Sequence, residues 1–356
     1  MEIGSEFWIE KELNETSNAS IPDWLNGFGD VVLTSSGRGA ISLILSQISP
    51  RVKRALVPSY VCESVILPFE RAGYELVYYE VDEFFVPKDI STLNTEIGVF
   101  LHMGYFGFST NEILVGEIEK LRARSVIIIE DVTHTLFSKY NPSPENDYVV
   151  GSLRKWLGVP CGGFAAAVRQ KMDCAELPPP PQELIELRTN SLRQKRLYMQ
   201  TIDESLKKDF LNGFSEAEKI FDDDVGAYQM DRLSVQIILE VDIERIVHKR
   251  RENYRFLLEQ LSEKVEIRAI FNTLPESVCP FIFPVIVAAD RDQMRRKLIE
   301  EKIYCPIHWP IPKQVDHLIS SGTRATYDSI LSIPCDQRYN LTDMNRIVCA
   351  LKYITD

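Results

Sequence analysis

The chain has 356 residues, 45% hydrophobic and 26% charged, the composition of a soluble globular protein with room for one large and one smaller core. Its formal charge of −12 repels phosphate backbones and argues against nucleic acid as a partner. The longest apolar run, residues 279–289, is too short to cross a bilayer and holds two prolines, so no membrane span is expected.

The first fifteen residues alternate in charge and lack the apolar core of a secretory leader. The seven cysteines are scattered without a CxxC pair, which suits reduced thiols. A cytoplasmic protein is expected, and the sequons at Asn14 and Asn18 then carry no weight.

In chain order, DVVLTS (30–35) reads as a strand and GAISLILSQI as a helix with apolar residues at 41, 43, 44 and 48. RALVPSY follows as a strand and CESVILPFERAG as a helix. YELVYYEVD, IGVFLHMG, SVIIIEDV and DYVVGS read as further strands, with TNEILVGEIEKLRAR as an interposed helix. Continuous apolar strands alternating with helices predict a mostly parallel sheet covered on both faces. The prolines of 176–184 form a spacer, followed by a charged helix over about 183–208 and a long helix over 229–263. Beyond these come strands in VEIRAIF and PFIFPVIVA, a helix at RDQMRRKLIEEK and a closing helix near 342–353. The division expected is a large α/β domain over 1–235, N-terminal extension included, and a small α+β domain over 236–356.

In such sheets ligands bind beyond the carboxyl ends of the strands. After the first strand, TSSGRGA (34–40) has the small residues and glycines that let backbone N–H groups face an anion, although a plain strand-to-helix turn would read the same. After SVIII, Glu130 and Asp131 put carboxylates at a buried strand end, where a cationic partner, a helix cap or a protonated heteroaromatic nitrogen would stabilise them. After DYVVG comes SLRKW, with Lys155. An anion cradle, an aspartate and a lysine, in that order on strand ends, are the three parts that pyridoxal phosphate (PLP) requires: donors for its phosphate, a carboxylate for its ring nitrogen and an amine for its aldehyde.

These segments resemble the fold-type-I PLP enzymes, and among them the DegT/DnrJ/EryC1/StrS sugar aminotransferases. SSGRGAISLIL is similar to that family's phosphate loop, with Ser36, Gly37 and Arg38 at its contacting end. VPSYVCESVILPFERAGYELVYYEVD resembles the segment bearing the ring-stacking residue. That place falls on Cys62 here, with Tyr60 the nearest aromatic. FLHMGYFG resembles the family's histidine–glycine strand end. IIEDVTHTL resembles the segment that would give Asp131 to the pyridine nitrogen and His134 to the phenolic oxygen. SLRKWLGVPCGG resembles the lysine followed by paired glycines, which makes Lys155 the Schiff-base residue and Ser152 a phosphate donor. GAYQM (226–230) stands where the family has a segment whose asparagine reaches the neighbouring subunit's phosphate, and Ala227 takes that asparagine's place. LSIPCDQRYNLTDMNRIVCAL resembles its C-terminal segment.

The resemblance implies transfer of an amino group from an amino acid, L-glutamate expected, to a nucleotide-linked keto-sugar, in a homodimer with shared active sites. Another small keto acceptor, or a catalytically silent regulatory member of the same fold, are the alternatives. His308 and Trp309, in CPIHWPIP, would border the substrate pocket. Cys305 and His308 lack a second ligand pair nearby, so no metal is expected. The basic runs 188–196 and 248–255 read as solvated helix faces, with either able to offer an arginine to a substrate phosphate.

Overall fold

The computed structural model describes residues 2–11, 20–88, 90, 95–139, 143–172, 176–261 and 266–355; both sequons lie outside them. Its elements run β1 (Ile3–Gly4), β2 (Asp30–Thr34), α1 (Gly37–Gln47), β3 (Arg54–Pro58), α2 (Glu63–Arg71), β4 (Glu75–Tyr79), β5 (Val99–Met103), α3 (Val115–Ala123), β6 (Ile127–Asp131), β7 (Tyr148–Ser152) and β8 (Gly163–Ala167). There follow α4 (Gln182–Thr201), α5 (Glu204–Asp223), α6 (Arg232–Leu239), α7 (Ile243–Leu261), β9 (Ile267–Ala269), β10 (Phe283–Val287), α8 (Arg291–Glu300), β11 (Ile303–Tyr304), α9 (Ser321–Ser329), β12 (Ile330–Ile333) and α10 (Leu341–Thr355).

Seven strands make the central sheet in the order β2-β8-β7-β6-β5-β3-β4. The five from β7 to β4 are parallel; β8 runs antiparallel to both of its neighbours. Alternate strand residues point to two apolar layers. Val57, Leu101, Ile129 and Val150 pack under α1 and α2 with Ile44, Ile66 and Phe69. Leu56, Phe100, Ile128 and Val149 face the other layer with Ile118, Val235 and Ile238. Burial on both faces is why these strands read as unbroken apolar runs. The expected α/β fold with a mostly parallel sheet is the one observed. A second, three-stranded antiparallel sheet, β12-β10-β9, forms its own core with α7, α8 and α10 through Tyr254, Leu257, Leu298 and Ile347.

Three departures from the sequence reading have physical causes. GFAAA forms β8 although it carries no β-branched residue, because pairing with β2 on one edge and β7 on the other, with every residue buried, overrides its weak strand propensity. The charged helix near 183–208 is two helices. Ile202 turns left-handed (φ 56°) and Asp203 caps α5 by accepting from Ser205 N–H (3.0 Å). The pair closes as a hairpin on Leu192, Tyr198, Phe210 and Phe214. The 229–263 stretch is likewise divided, with Asp242 accepting from Arg245 N–H (2.9 Å) at the start of α7.

The basic runs are also not simple solvated faces. Arg188, Lys195, Arg250 and Arg251 are buried. Lys195 Nζ donates to Ser5 Oγ (3.0 Å) and to the Glu6 carbonyl, and burial pushes its amine down to about 7. Arg250 lies over the Trp156 ring and donates to Gln337 and to the Pro280 and Phe281 carbonyls. The Lys195 contacts place Ser5 and Glu6 against α4, and just before them β1 pairs parallel with β11.

Candidate active site

The chemistry-bearing strand ends meet at one residue. Gly163 opens β8 paired with Thr34, the last residue of β2, on one side and with Ser152, the last of β7, on the other. A Cβ on Gly163 would lie 2.2 Å from the Ser36 carbonyl carbon and 2.6 Å from Gly37 N, so only glycine lets the sheet touch this loop. Gly162 N–H donates to the Ser35 carbonyl (2.8 Å), and its carbonyl accepts from Leu153 N–H (3.0 Å). The paired glycines after the lysine thus fasten the lysine turn to the anion loop.

A cleft of about 630 Å³, its open mouth included, lies beyond these ends. At one end stands the start of α1. Ser36 caps it, its Oγ accepting from Gly39 N–H (3.0 Å). The Gly37 and Arg38 N–H groups, first in the helix, have no acceptor within it. Ser152 is adjacent, its Cβ 3.2 Å from where a Gly37 Cβ would stand. Arg38 and Arg154 border the same end. Glu218 of α5 joins them, at 2.6 Å from Arg154 and 3.4 Å from Arg38, and Asp222 lies 2.9 Å from Arg38. Burial acts to raise the Glu218 carboxyl, and Arg154, Arg38 and Arg188 together outweigh it and hold it well below the usual range.

Asp131 ends β6 inside the cleft, buried, with Oδ1 accepting from Thr133 N–H (2.8 Å). Burial raises its carboxyl above the ordinary value, the Thr133 hydrogen bonds oppose this, and no cationic side chain among the described residues is paired with it. His134 Nδ1 accepts from Phe106 N–H (3.3 Å), which places the proton of the neutral ring on Nε2. Burial, with smaller contributions from His308 and Lys155, holds its pKa well below the usual value, so the ring is neutral. It stacks on Phe281 (4.4 Å) and Trp309 (5.1 Å).

Lys155 is exposed, has no hydrogen bond or ion pair among the described residues, and borders both this cleft and a second cavity. That cavity is closed on one side by residues 4–7 and lined by His308 and Arg338. His308 Nδ1 lies 2.8 Å from Ser332 Oγ, and burial pushes its pKa down to about 3. Trp156, next to the lysine, is a packing residue, buried with Nε1 donating to the Thr133 carbonyl (2.6 Å).

The structure therefore brings Ser36, Gly37, Arg38, Cys62, Asp131, His134, Ser152, Lys155 and Trp309 to one cleft. Tyr60 is not on its wall. It is fully buried in an aromatic cluster with Phe85, Tyr105, Tyr327 and Trp309, and Cys62, at the N-cap of α2, forms the wall instead. His308 borders the neighbouring cavity. Ala227 lies over the start of α1 in its own chain, 3.6 Å from where a Gly39 Cβ would be. A charge beside a lysine carries no sign of direction, so the sequence alone does not single out Arg154. Glu218 is hidden because the sequence reading gives no element to residues 209–228, although Phe210, Phe214, Ala217 and Phe221 mark the buried stripe of α5.

The residues present fit PLP on their own chemistry. Buried Arg38 Nε and Nη1 and Arg154 Nε have no partner, which suits an anion, and Asp131 is a buried carboxylate without a countercharge, which suits a protonated ring nitrogen.

No protein-family model matches the chain, and no curated protein matches it in sequence. Solved structures do match over nearly its whole length. The aminotransferase TlmJ from Streptoalloteichus hindustanus is 17% identical over 94% of this chain and 90% of its own, with a TM-score of 0.67. A DegT DnrJ EryC1 StrS aminotransferase from Brucella abortus is 16% identical over 92% and 87%, with a TM-score of 0.61. Spr1654 from Streptococcus pneumoniae, in its PLP form, is 14% identical over 91% and 86%, with a TM-score of 0.63. The likeness is one of architecture, and it establishes that this chain has the fold of these aminotransferases, fold type I of the PLP enzymes.

Proposed function

We propose that the chain is a PLP-dependent sugar aminotransferase of the DegT/DnrJ/EryC1/StrS type, with a keto-sugar as acceptor. The observation that carries this is the pairing, in one cleft, of an exposed amine without a partner and a buried carboxylate without a countercharge. The structural likeness to sugar aminotransferases supports the acceptor class. A nucleotide-linked sugar, L-glutamate as donor, a homodimer and a cytoplasmic location complete the reading, as does the division into domains at residues 235 and 236.

Bound in this cleft, the cofactor would supply an aldehyde that joins an amine and a pyridinium ring that draws electrons from the donor's Cα. Lys155 Nζ would hold the cofactor covalently and, once freed by an incoming amine, take the proton from the donor's Cα. Asp131 would hold a proton on the ring nitrogen; burial makes that contact favourable because it gives the carboxylate its missing countercharge. His134, neutral and with its proton on Nε2, would donate to an oxygen without adding charge. Trp309 fixes the plane of that imidazole by stacking. Ser36, Gly37, Arg38 and Ser152 would hold the phosphate.

The test is the visible spectrum of the purified chain with PLP, before and after L-glutamate, with Lys155→Ala beside it. The reading expects a visible band in the wild type that glutamate bleaches, and no such band in the variant. Because Lys155 is exposed and unpaired, its loss should leave stability within about 0.5 kcal/mol. A wild type without the band would remove the cofactor from the account.

A further inference from the structure

Resting on the proposed cofactor, we infer that Arg154, the residue immediately before Lys155, is a phosphate ligand, and that together with Arg38 it completes the anion end of the cleft within one chain. The argument is an accounting of donors. Arg38 gives Nη2 to Glu218 and Asp222, which leaves Nε and Nη1 buried and unpartnered. Arg154 gives Nη1 to Glu218 and keeps a buried, unpartnered Nε, with its side chain nine-tenths buried. Native proteins seldom leave such donors without an acceptor, and three on two neighbouring guanidinium groups bordering one cleft call for an anion.

Position supports this. Both guanidinium groups lie over the Phe221 ring, at 5.7 Å for Arg38 and 4.1 Å for Arg154, so α5 fixes them side by side. Glu218 bridges them and offsets their repulsion, which is its part as a positioning residue. The segment over the start of α1, residues 226–227, offers only a glycine and an alanine, so it adds no side-chain donor to those of Ser36, Arg38, Ser152 and Arg154. Arg154 adjoins Lys155 in sequence, so a phosphate held there would also fix the distance to the lysine amine.

Comparing pyridoxal phosphate with pyridoxal, which lacks only the phosphate, isolates this contact. The cofactor-stripped full chain is titrated with each, and the visible band of the lysine adduct is read. Wild type should prefer the phosphorylated form strongly. Arg154→Gln should cut that preference by roughly ten- to a hundredfold while leaving pyridoxal binding near the wild-type value. Arg154→Lys should restore part of it, since an ammonium keeps the charge without the fork. Inorganic phosphate should compete with pyridoxal phosphate in wild type and only weakly in Arg154→Gln.

A preference unchanged in both variants, or one that falls with Arg38→Gln alone, overturns the assignment. So does an equal loss of both ligands, which marks Arg154 as a structural tie to α5. If wild type forms no adduct with either compound, the cofactor reading itself has failed; if it forms adducts without preferring the phosphate, only the present inference falls.

Discussion

Glu130 and Asp131 are neighbours in β6, and strand alternation sends them to opposite faces of the sheet. Behind the sheet, Glu130 accepts from Asn111 Nδ2 (2.9 Å) and Asn146 Nδ2 (2.6 Å), and His102 bridges those two amides at 2.9 and 3.0 Å. In front, Asp131 has Thr133 as its hydrogen-bond partner and the open cleft before it. Both carboxylates are buried and both follow an isoleucine run. The difference teaches which polar groups a fold uses for itself: those are enclosed by donors, while a group kept for a ligand is left short of them.

The largest test of this contrast is Asp131→Asn. It should lower the rate of amino transfer by on the order of a thousandfold in single-turnover assays, because an amide cannot stabilise a proton on the ring nitrogen as a carboxylate does. Denaturant melts should show stability unchanged or slightly raised, since an uncompensated buried charge is removed.

Acidification tests the cleft side next. The imidazoles of His134 and His308 are held below their ordinary value by burial, His308 at about 3. Unfolded histidines take up protons below about pH 6.5, whereas these stay neutral in the fold, so stability rises with pH between about 3 and 6.5 and is fully present above that window. At pH 5 His308 should cost about 2 kcal/mol relative to pH 7, and His134 adds to the loss in the same direction. Urea midpoints of the cofactor-free chain should fall accordingly, and less so in His308→Gln.

Gly163→Ala should cost about 3 kcal/mol by thermal melts, because its Cβ must displace the Ser36 backbone, and it should loosen pyridoxal phosphate more than pyridoxal. Glu130→Gln, the smallest effect, should cost about 1–2 kcal/mol by turning an acceptor into a donor facing amide N–H groups, with turnover unchanged. A loss of turnover there with stability intact would erase the contrast between the two faces.

The sequence was most legible where function follows local rules. Small residues after β2, a carboxylate after β6 and a lysine after β7 each announce a strand end, and the parallel sheet then gathers them. What stayed hidden depends on distant partners. Nothing around Arg188, Lys195 or Arg250 shows that Glu6, Ser5 and Gln337 will enclose them, so they read as surface charge. The burial of Tyr60 is hidden for the same reason. Its surroundings come from residues 85, 105, 309 and 327, which turn it away from the cleft and into the core.

The pairing of β1 with β11 has a consequence for the order in which the molecule is made. Arg338 donates to the Glu6 carbonyl (2.8 Å) and the Ser5 carbonyl (3.2 Å), and Tyr339 accepts from Gly4 N–H (2.7 Å). On the ribosome, residues 3–6 are synthesised some three hundred residues before these partners exist. The central sheet can close while they are still unanchored, and the cavity that they close beside Lys155 takes shape only when the final strands arrive. A nascent chain arrested before residue 303 would hold the lysine and its anion loop already joined, beside a cavity that still lacks Pro306, His308, Pro334, Asp336 and Arg338.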